Sequence, residues 1–98
     1  MKLEFAARAL KEIERQGRWW LTNRPGSVQL FVQELEQAVD LIKATPFLGS
    51  IYARKRDRAI RRVLMPKTKY HLYFRQDGPE VIRVLSVWGA RRERGPKL

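Results

Sequence analysis

One change of hydrophobic period limits what this chain can fold into. Ala6, Leu10, Ile13, Gly17 and Trp20 lie 4, 3, 4 and 3 residues apart, and Val28, Phe31, Leu35, Val39 and Ile42 again step by 3 or 4. Both spacings follow the turn of an α-helix and predict an apolar stripe along each of two helices. Asn23-Arg24-Pro25-Gly26 separates them, Ser27 is placed to cap the second, and Thr45-Pro46 ends it. Helices joined by so short a turn are antiparallel neighbours. Beyond residue 60 the period falls to 2. Arg61 to Met65, Tyr70 to Arg75 and Val81 to Trp88 are rich in β-branched and aromatic residues and are split by Pro66-Lys67-Thr68-Lys69 and Gln76-Asp77-Gly78-Pro79-Glu80. These runs predict an antiparallel three-stranded meander. Lys2-Leu3-Glu4-Phe5 alternates in the same way and predicts an opening strand with Leu3 and Phe5 inward.

The fold class that follows is α+β: an N-terminal strand and an antiparallel two-helix hairpin packed on a three- to four-stranded, mainly antiparallel sheet. Ninety-eight residues hold one such core, so residues 1–98 are expected to form a single domain. Pairing Val63 with Leu72 and Leu72 with Val84 puts Val63, Met65, Tyr70, Leu72, Phe74, Ile82, Val84 and Trp88 on one face, which should receive the helices. The opposite face then carries Arg62, Leu64, His71, Tyr73, Arg75, Arg83 and Leu85, with Tyr73 flanked across strands by Arg62 and Arg83. Arg54-Lys55-Arg56-Asp57-Arg58 shows no apolar period and reads as a solvated loop or strand lead-in. Trp19 and Trp20 are adjacent, so one stripe cannot bury both. Trp20 lies on the core stripe, and Trp19 either lines the second helix or is exposed to a partner.

Charge narrows the function. The formal net charge is +11, and its distribution is uneven: residues 1–50 hold 7 basic and 6 acidic side chains, residues 51–98 hold 14 and 4. An excess confined to the sheet half points to a polyanionic or acidic partner, and because neither helix is strongly basic a membrane surface is not expected. No Cys is present, which excludes disulfides, thiol nucleophiles and thiolate zinc sites and fits a reducing cytoplasm. The lone His71 cannot build a metal centre, no glycine loop is shaped to cradle phosphates, and the few acids do not suggest a carboxylate pair, so no metal, cofactor or small-molecule substrate is expected. The remaining chemistry is a basic and aromatic surface with one imidazole. Such a surface either binds phosphates, bases or carboxylates, or cleaves RNA without metal by stabilising the phosphorane and moving protons.

The order of elements and their local wording resemble the RelE/ParE superfamily of toxins from bacterial type II toxin-antitoxin systems. The resemblance is carried by Leu3-Glu4-Phe5, the alanine-rich first helix with Trp19-Trp20, Asn23-Arg24-Pro25, Arg61-Arg62-Val63-Leu64-Met65-Pro66, Tyr70-His71-Leu72-Tyr73-Phe74-Arg75 and Val84-Leu85-Ser86-Val87-Trp88 running into Ala90-Arg91-Arg92. It implies growth arrest by the free toxin and neutralisation by a cognate antitoxin, whose contacts are expected at Trp19, Arg62 and Tyr73. ParE-like members poison DNA gyrase, whereas RelE-like members cleave messenger RNA on the ribosome. The nuclease pattern is incomplete here: His71 stands where RelE-like nucleases have an arginine, Gly89 follows the tryptophan where many relatives have a histidine, and the C-terminal tyrosine is missing after Arg94. A gyrase-directed toxin is therefore the expected activity, with Arg61, Arg62, Arg75, Arg83, Arg91 and Arg92 as the cations offered to target or nucleic acid. The alternatives are a ribosome-dependent endoribonuclease using His71, Tyr73 and Arg92, and a basic nucleic-acid-binding module.

Overall fold

A computed structural model describes residues 1–98. The chain runs β1 (Lys2–Phe5), α1 (Ala7–Asn23), a short 3-10 turn (Pro25–Ser27), α2 (Val28–Ala44), β2 (Ser50–Lys55), β3 (Arg58–Met65), β4 (Tyr70–Asp77) and β5 (Val81–Gly89). The five strands form one sheet in the order β1-β5-β4-β3-β2, with β1 parallel to β5 and every other neighbour antiparallel. The α+β expectation holds, with one strand more than the sequence period revealed. That strand, β2, lies at the edge, and Arg56 (φ 51°) and Asp57 (φ 64°) turn it into β3. Positive φ at both central residues matches the right-handed twist of a two-residue hairpin. The basic run is thus an exposed hairpin tip, with Arg54 and Lys55 ending β2 and Arg58 leading into β3, which is the strand lead-in of the two expected forms.

Both helices end where a proline forces the preceding residue out of helical geometry. Arg24 takes φ −145° and donates its N–H to the Trp20 carbonyl, and Thr45 takes φ −139° and donates to Leu41. Ser27 makes no side-chain cap, contrary to expectation; its N–H donates to the Arg24 carbonyl, closing the 3-10 turn instead. On α1 Ile13 and Trp20 of the expected stripe pack on the core, but the fully buried position is Ala9 and Leu10 is 53% exposed, so the buried face is turned by a fraction of a residue from the expected one. The small Ala9 side chain lets α1 lie close to β5, and Glu12 uses that approach: its carboxylate accepts from the Val87 N–H and the Ser86 hydroxyl. β1 pairs only with Val81 to Val84 of β5, so Glu12 satisfies a strand amide that β1 is too short to reach.

The main core joins Ala9, Phe31, Ala38 and Ile42 of the helices to Met65, Tyr70, Leu72, Phe74, Ile82, Val84 and Val87 of the sheet. Full burial of one such large apolar side chain contributes about 1.5–3 kcal/mol. Val63 does face Leu72, but Leu72 pairs with Val87 rather than Val84. The cause is a bulge: Phe74 opposes Val84, Tyr73 opposes Ser86, and Leu85 is the extra residue. It flips Trp88 to the other face and leaves Arg83 opposite Arg75 instead of Tyr73.

That second face is not open. Ile60, Tyr73 and Leu85 are buried there beneath Tyr52, Ala53, Trp88 and the terminal Leu98. The tail is fastened by three bonds: Tyr52 Oη donates to the Pro96 carbonyl (2.9 Å), Trp88 Nε1 to Arg94 (2.9 Å) and Arg8 to Lys97 (2.6 Å). Neither helix is long and apolar enough to cross a membrane.

Candidate functional site

The cations of the sheet half fall into separate groups with different freedom. Asp77 gathers Arg58 (2.8 Å), Arg75 (2.7 Å) and Arg83 (2.8 Å), and Arg83 also reaches Glu4 (3.3 Å). Burial would raise the Asp77 pKa, but hydrogen bonds from Arg75 and Arg83 and the charges of Arg75 and Arg58 outweigh it and hold the carboxyl below its ordinary value. Arg75 and Arg83, expected to meet a target, are therefore committed to a structural ion-pair knot. Arg61 is committed as well: it donates to the Phe47 carbonyl (3.0 Å) and stacks over the Phe47 ring, clamping the α2–β2 connection.

A second group lies around His71. On β4 His71 pairs with Leu64 and Trp88, and its ring meets Tyr73 edge to face at 5.9 Å. Arg62 stacks over Tyr52 and Arg92 over Trp88, the latter at 4.0 Å. Burial, together with the positive charge of Arg62, lowers the His71 pKa below 6.5, so the imidazole is neutral at physiological pH. Tyr73, expected as a surface contact and as a proton carrier, is 1% exposed. Its ring packs edge to face with Tyr52 at 4.7 Å and is closed over by the tail. The alternation of β4 placed Tyr73 on this face correctly; the tail that covers it carries no periodic signal.

A groove of about 790 Å3 lies elsewhere, at the pole where three chain reversals meet. Arg24 comes from the α1–α2 turn, Lys67 and Lys69 from the β3–β4 turn, and Arg91 and Arg92 from the segment after β5. No carboxylate lines it. Its floor is a chain of hydrogen bonds: Trp20 Nε1 donates to Tyr70 Oη (3.0 Å), which donates to Gln16 Oε1 (2.8 Å). Burial raises the Tyr70 pKa despite the Trp20 bond, so the floor stays uncharged. Trp19 stands at the rim, 47% exposed, braced edge-on by Trp20 at 5.2 Å. Of its two expected placements, exposure is the one observed.

Beneath the lysine turn is a residue the sequence reading passed over. Glu34 of α2 is buried, and its carboxylate accepts from the Lys67 N–H (2.8 Å), the Thr68 N–H (2.8 Å) and the Thr68 hydroxyl (2.7 Å). Burial would raise its pKa, but these bonds and the Lys67 charge lower it instead. Lys69 then sits at φ 65°, a left-handed conformation that a side chain enters at a free-energy penalty of about 1 kcal/mol or more. Of the expected site residues the groove unites only Trp19, Arg91 and Arg92; it adds Arg24, Lys67 and Lys69. Antiparallel topology places these two turns and the end of β5 at one pole, and that was the signal available in the sequence. No three His, Cys, Asp or Glu side chains converge to hold a metal ion.

Comparison with known proteins adds family and fold. Residues 3–94 match the family model for the ParE toxin of the type II toxin-antitoxin system parDE. The structure is similar to a solved chain from the chromosomal ParDE toxin-antitoxin system of P. aeruginosa, with a TM-score of 0.76 at 14% identity over 93% of this chain and 97% of that one. At that identity the likeness speaks for the fold alone. No curated protein matches in sequence.

Proposed function

The chain belongs to the ParE toxin family of type II toxin-antitoxin systems, and we propose that it arrests bacterial growth by inhibiting DNA gyrase until a cognate antitoxin sequesters it. The observation that carries the choice of gyrase over messenger RNA is the state of the proton-transfer pair. Metal-free RNA cleavage needs one group to take the 2′-hydroxyl proton and another to protonate the leaving oxygen. Tyr73 is sealed beneath Tyr52 and the tail. His71, with its pKa lowered, is a neutral imidazole at neutral pH: it can accept a proton, but its remaining N–H is far too weakly acidic to protonate the leaving oxygen. Arg92 is exposed but cannot serve as an acid, because a guanidinium keeps its protons.

Antitoxin binding is supported by apolar surface left on the helices beside cations. Leu10, Trp19, Leu21, Val32 and Leu41 are exposed. Such surface suits an acidic, amphipathic segment that orders as it binds. Arg62 lies on the far face, stacked on Tyr52, so an antitoxin touching both Trp19 and Arg62 must wrap the sheet edge. The test is supercoiling of relaxed plasmid by purified gyrase with added chain. Loss of supercoiling, equally strong for His71→Ala and reversed by the protein encoded alongside, is expected. Full supercoiling at saturating chain, with message cleavage on purified ribosomes, would replace gyrase by the ribosome.

A further inference from the structure

The groove is lined by five cations that form no ion pair within the chain, Arg24, Lys67, Lys69, Arg91 and Arg92. The six pairs present involve Arg8, Arg18, Arg58, Arg75 and Arg83. Five like charges around one hollow repel one another, and holding them there opposes folding. The lysine turn is nonetheless held firmly. The buried Glu34 carboxylate fixes Lys67 and Thr68 from below, and Lys69 is kept at a strained φ where glycine or asparagine would sit more easily. Arg92 is laid flat on Trp88.

We propose that this groove binds a single strand of nucleic acid, with the cations on successive phosphates and Trp19 as the platform for an unpaired base. Charge complementarity selects a polyanion, and the aromatic geometry selects its class. Trp19 lines the groove with nearly half its surface free and meets Trp20 at an interplanar angle of 84° rather than in a stack, which leaves ring surface for a base. A paired base in a duplex offers no such face. An acidic amphipathic helix would need a continuous apolar floor, and here Leu30 and the Trp20 and Tyr70 rings are interrupted by Gln16, Ser27 and Thr68. Neither His71 nor Tyr73 lines the groove, which shares only Arg92 with the group around His71, so it offers a strand cations and a stacking ring but no proton-transfer side chain.

Fluorescence anisotropy with labelled dT12 and rU12 tests this, with a 12-base-pair duplex and a poly-glutamate peptide as competitors, from 50 to 200 mM NaCl. Single strands lose affinity with a log–log salt slope of about −0.7 per phosphate contact, so five contacts predict a slope near −3.5. The triple variant K67Q/K69Q/R91Q should flatten it by about 2. Trp19→Leu should weaken binding on the order of tenfold with the slope unchanged, because stacking releases no counterions. Arg54→Gln with Arg56→Gln, at the distant β2–β3 turn, should leave both quantities intact, and circular dichroism of each variant checks folding. Tight, salt-sensitive binding of either single strand supports the site. Tighter binding of the duplex or of poly-glutamate, an unaffected Trp19→Leu, or equal losses from the distant arginines would overturn it. The assay contains no gyrase, so its failure leaves the proposed target standing, and failure of the supercoiling assay leaves this site standing.

Discussion

Glu34→Gln isolates the interaction that joins the fold to the groove. The side chain keeps its shape, but one carboxylate oxygen becomes an NH2 group. Retaining Oε1 against the Thr68 N–H and hydroxyl turns the new donor towards the Lys67 N–H, so a 2.8 Å hydrogen bond becomes two facing donors. A bond to a charged group contributes about 1.5–3 kcal/mol, and the bonds that survive lose their charge assistance. Water can reach exposed Lys67 and recover part of the loss. The net destabilisation is about 2 kcal/mol, a large share of the roughly 5–15 kcal/mol that holds a domain together. For a chain of this size it lowers Tm by about 8–16 °C.

The pH dependence gives the second reading of the same experiment. Folding lowers the Glu34 pKa from its model-compound value of 4.5, so the contribution of the ionised group is fully present above that value and is lost as pH falls through the folded pKa. A protonated Glu34 presents one donor and one acceptor, as glutamine does. The Tm gap between wild type and Glu34→Gln should therefore be widest near pH 7 and close as the acid range is entered. Taking the difference removes the parallel acid loss from Asp77, whose pKa is also lowered. Thermal melts by circular dichroism across this range decide the matter. A gap below about 2 °C at pH 7, or one that stays constant into acid, would refute the assignment of Glu34 as a buried, ionised anchor.

Three further outcomes follow from the packing. Gly49 has φ 81°, and a Cβ there would run into the Arg62 carbonyl, so Gly49→Ala should lose about 2 kcal/mol or more in a urea titration, well beyond Gly26→Ala, which meets nothing. Removing Pro96 to Leu98 deletes the carbonyl that accepts from Tyr52 and uncovers Ile60, Tyr73 and Leu85; a fall in Tm with increased dye binding to apolar surface is expected. Arg75→Ala should lower stability by about 1 kcal/mol, since Asp77 keeps Arg58 and Arg83, while leaving oligonucleotide affinity unchanged because Arg75 lies outside the groove.

What the sequence made legible was set by periodicity and by the breakers between periodic runs. Phe31, Ile42, Leu72, Phe74, Ile82 and Val84 occupy the core they were assigned to, because their spacing matched the element that carries them. β2 escaped because its half-buried residues, Tyr52 and Ala53, are adjacent across an irregularity in the pairing and so leave no alternation in Ser50–Lys55. The bulge escaped because Val84, Leu85 and Val87 suit either face, and only the fixed partners Phe74 and Tyr73 reveal the extra residue. Glu34 falls between apolar stripe positions, and its burial comes from the β3–β4 turn, distant in sequence, that rests on it. Candidate site residues fared differently for a related reason. In sequence Asp77 falls in a turn and nothing marks it as the partner of Arg75 and Arg83, because these ion pairs depend on how β4 and β5 align. Lys67 and Lys69 are turn residues in sequence and in structure, and their convergence with Arg24 and Arg91 depends on the placement of three segments in space.

The central claim is that the free chain acts on gyrase and does not cut message. Inducing it in bacteria that carry a reporter plasmid, then dividing one culture, tests both halves at once. One portion is lysed in detergent and its plasmid examined for supercoiling and for breaks with covalently attached gyrase; the other is mapped for new messenger RNA ends within codons at the ribosomal A site. Growth arrest with relaxed or gyrase-linked broken plasmid and intact message is the predicted result. Growth arrest with A-site cleavage and normally supercoiled plasmid would contradict it.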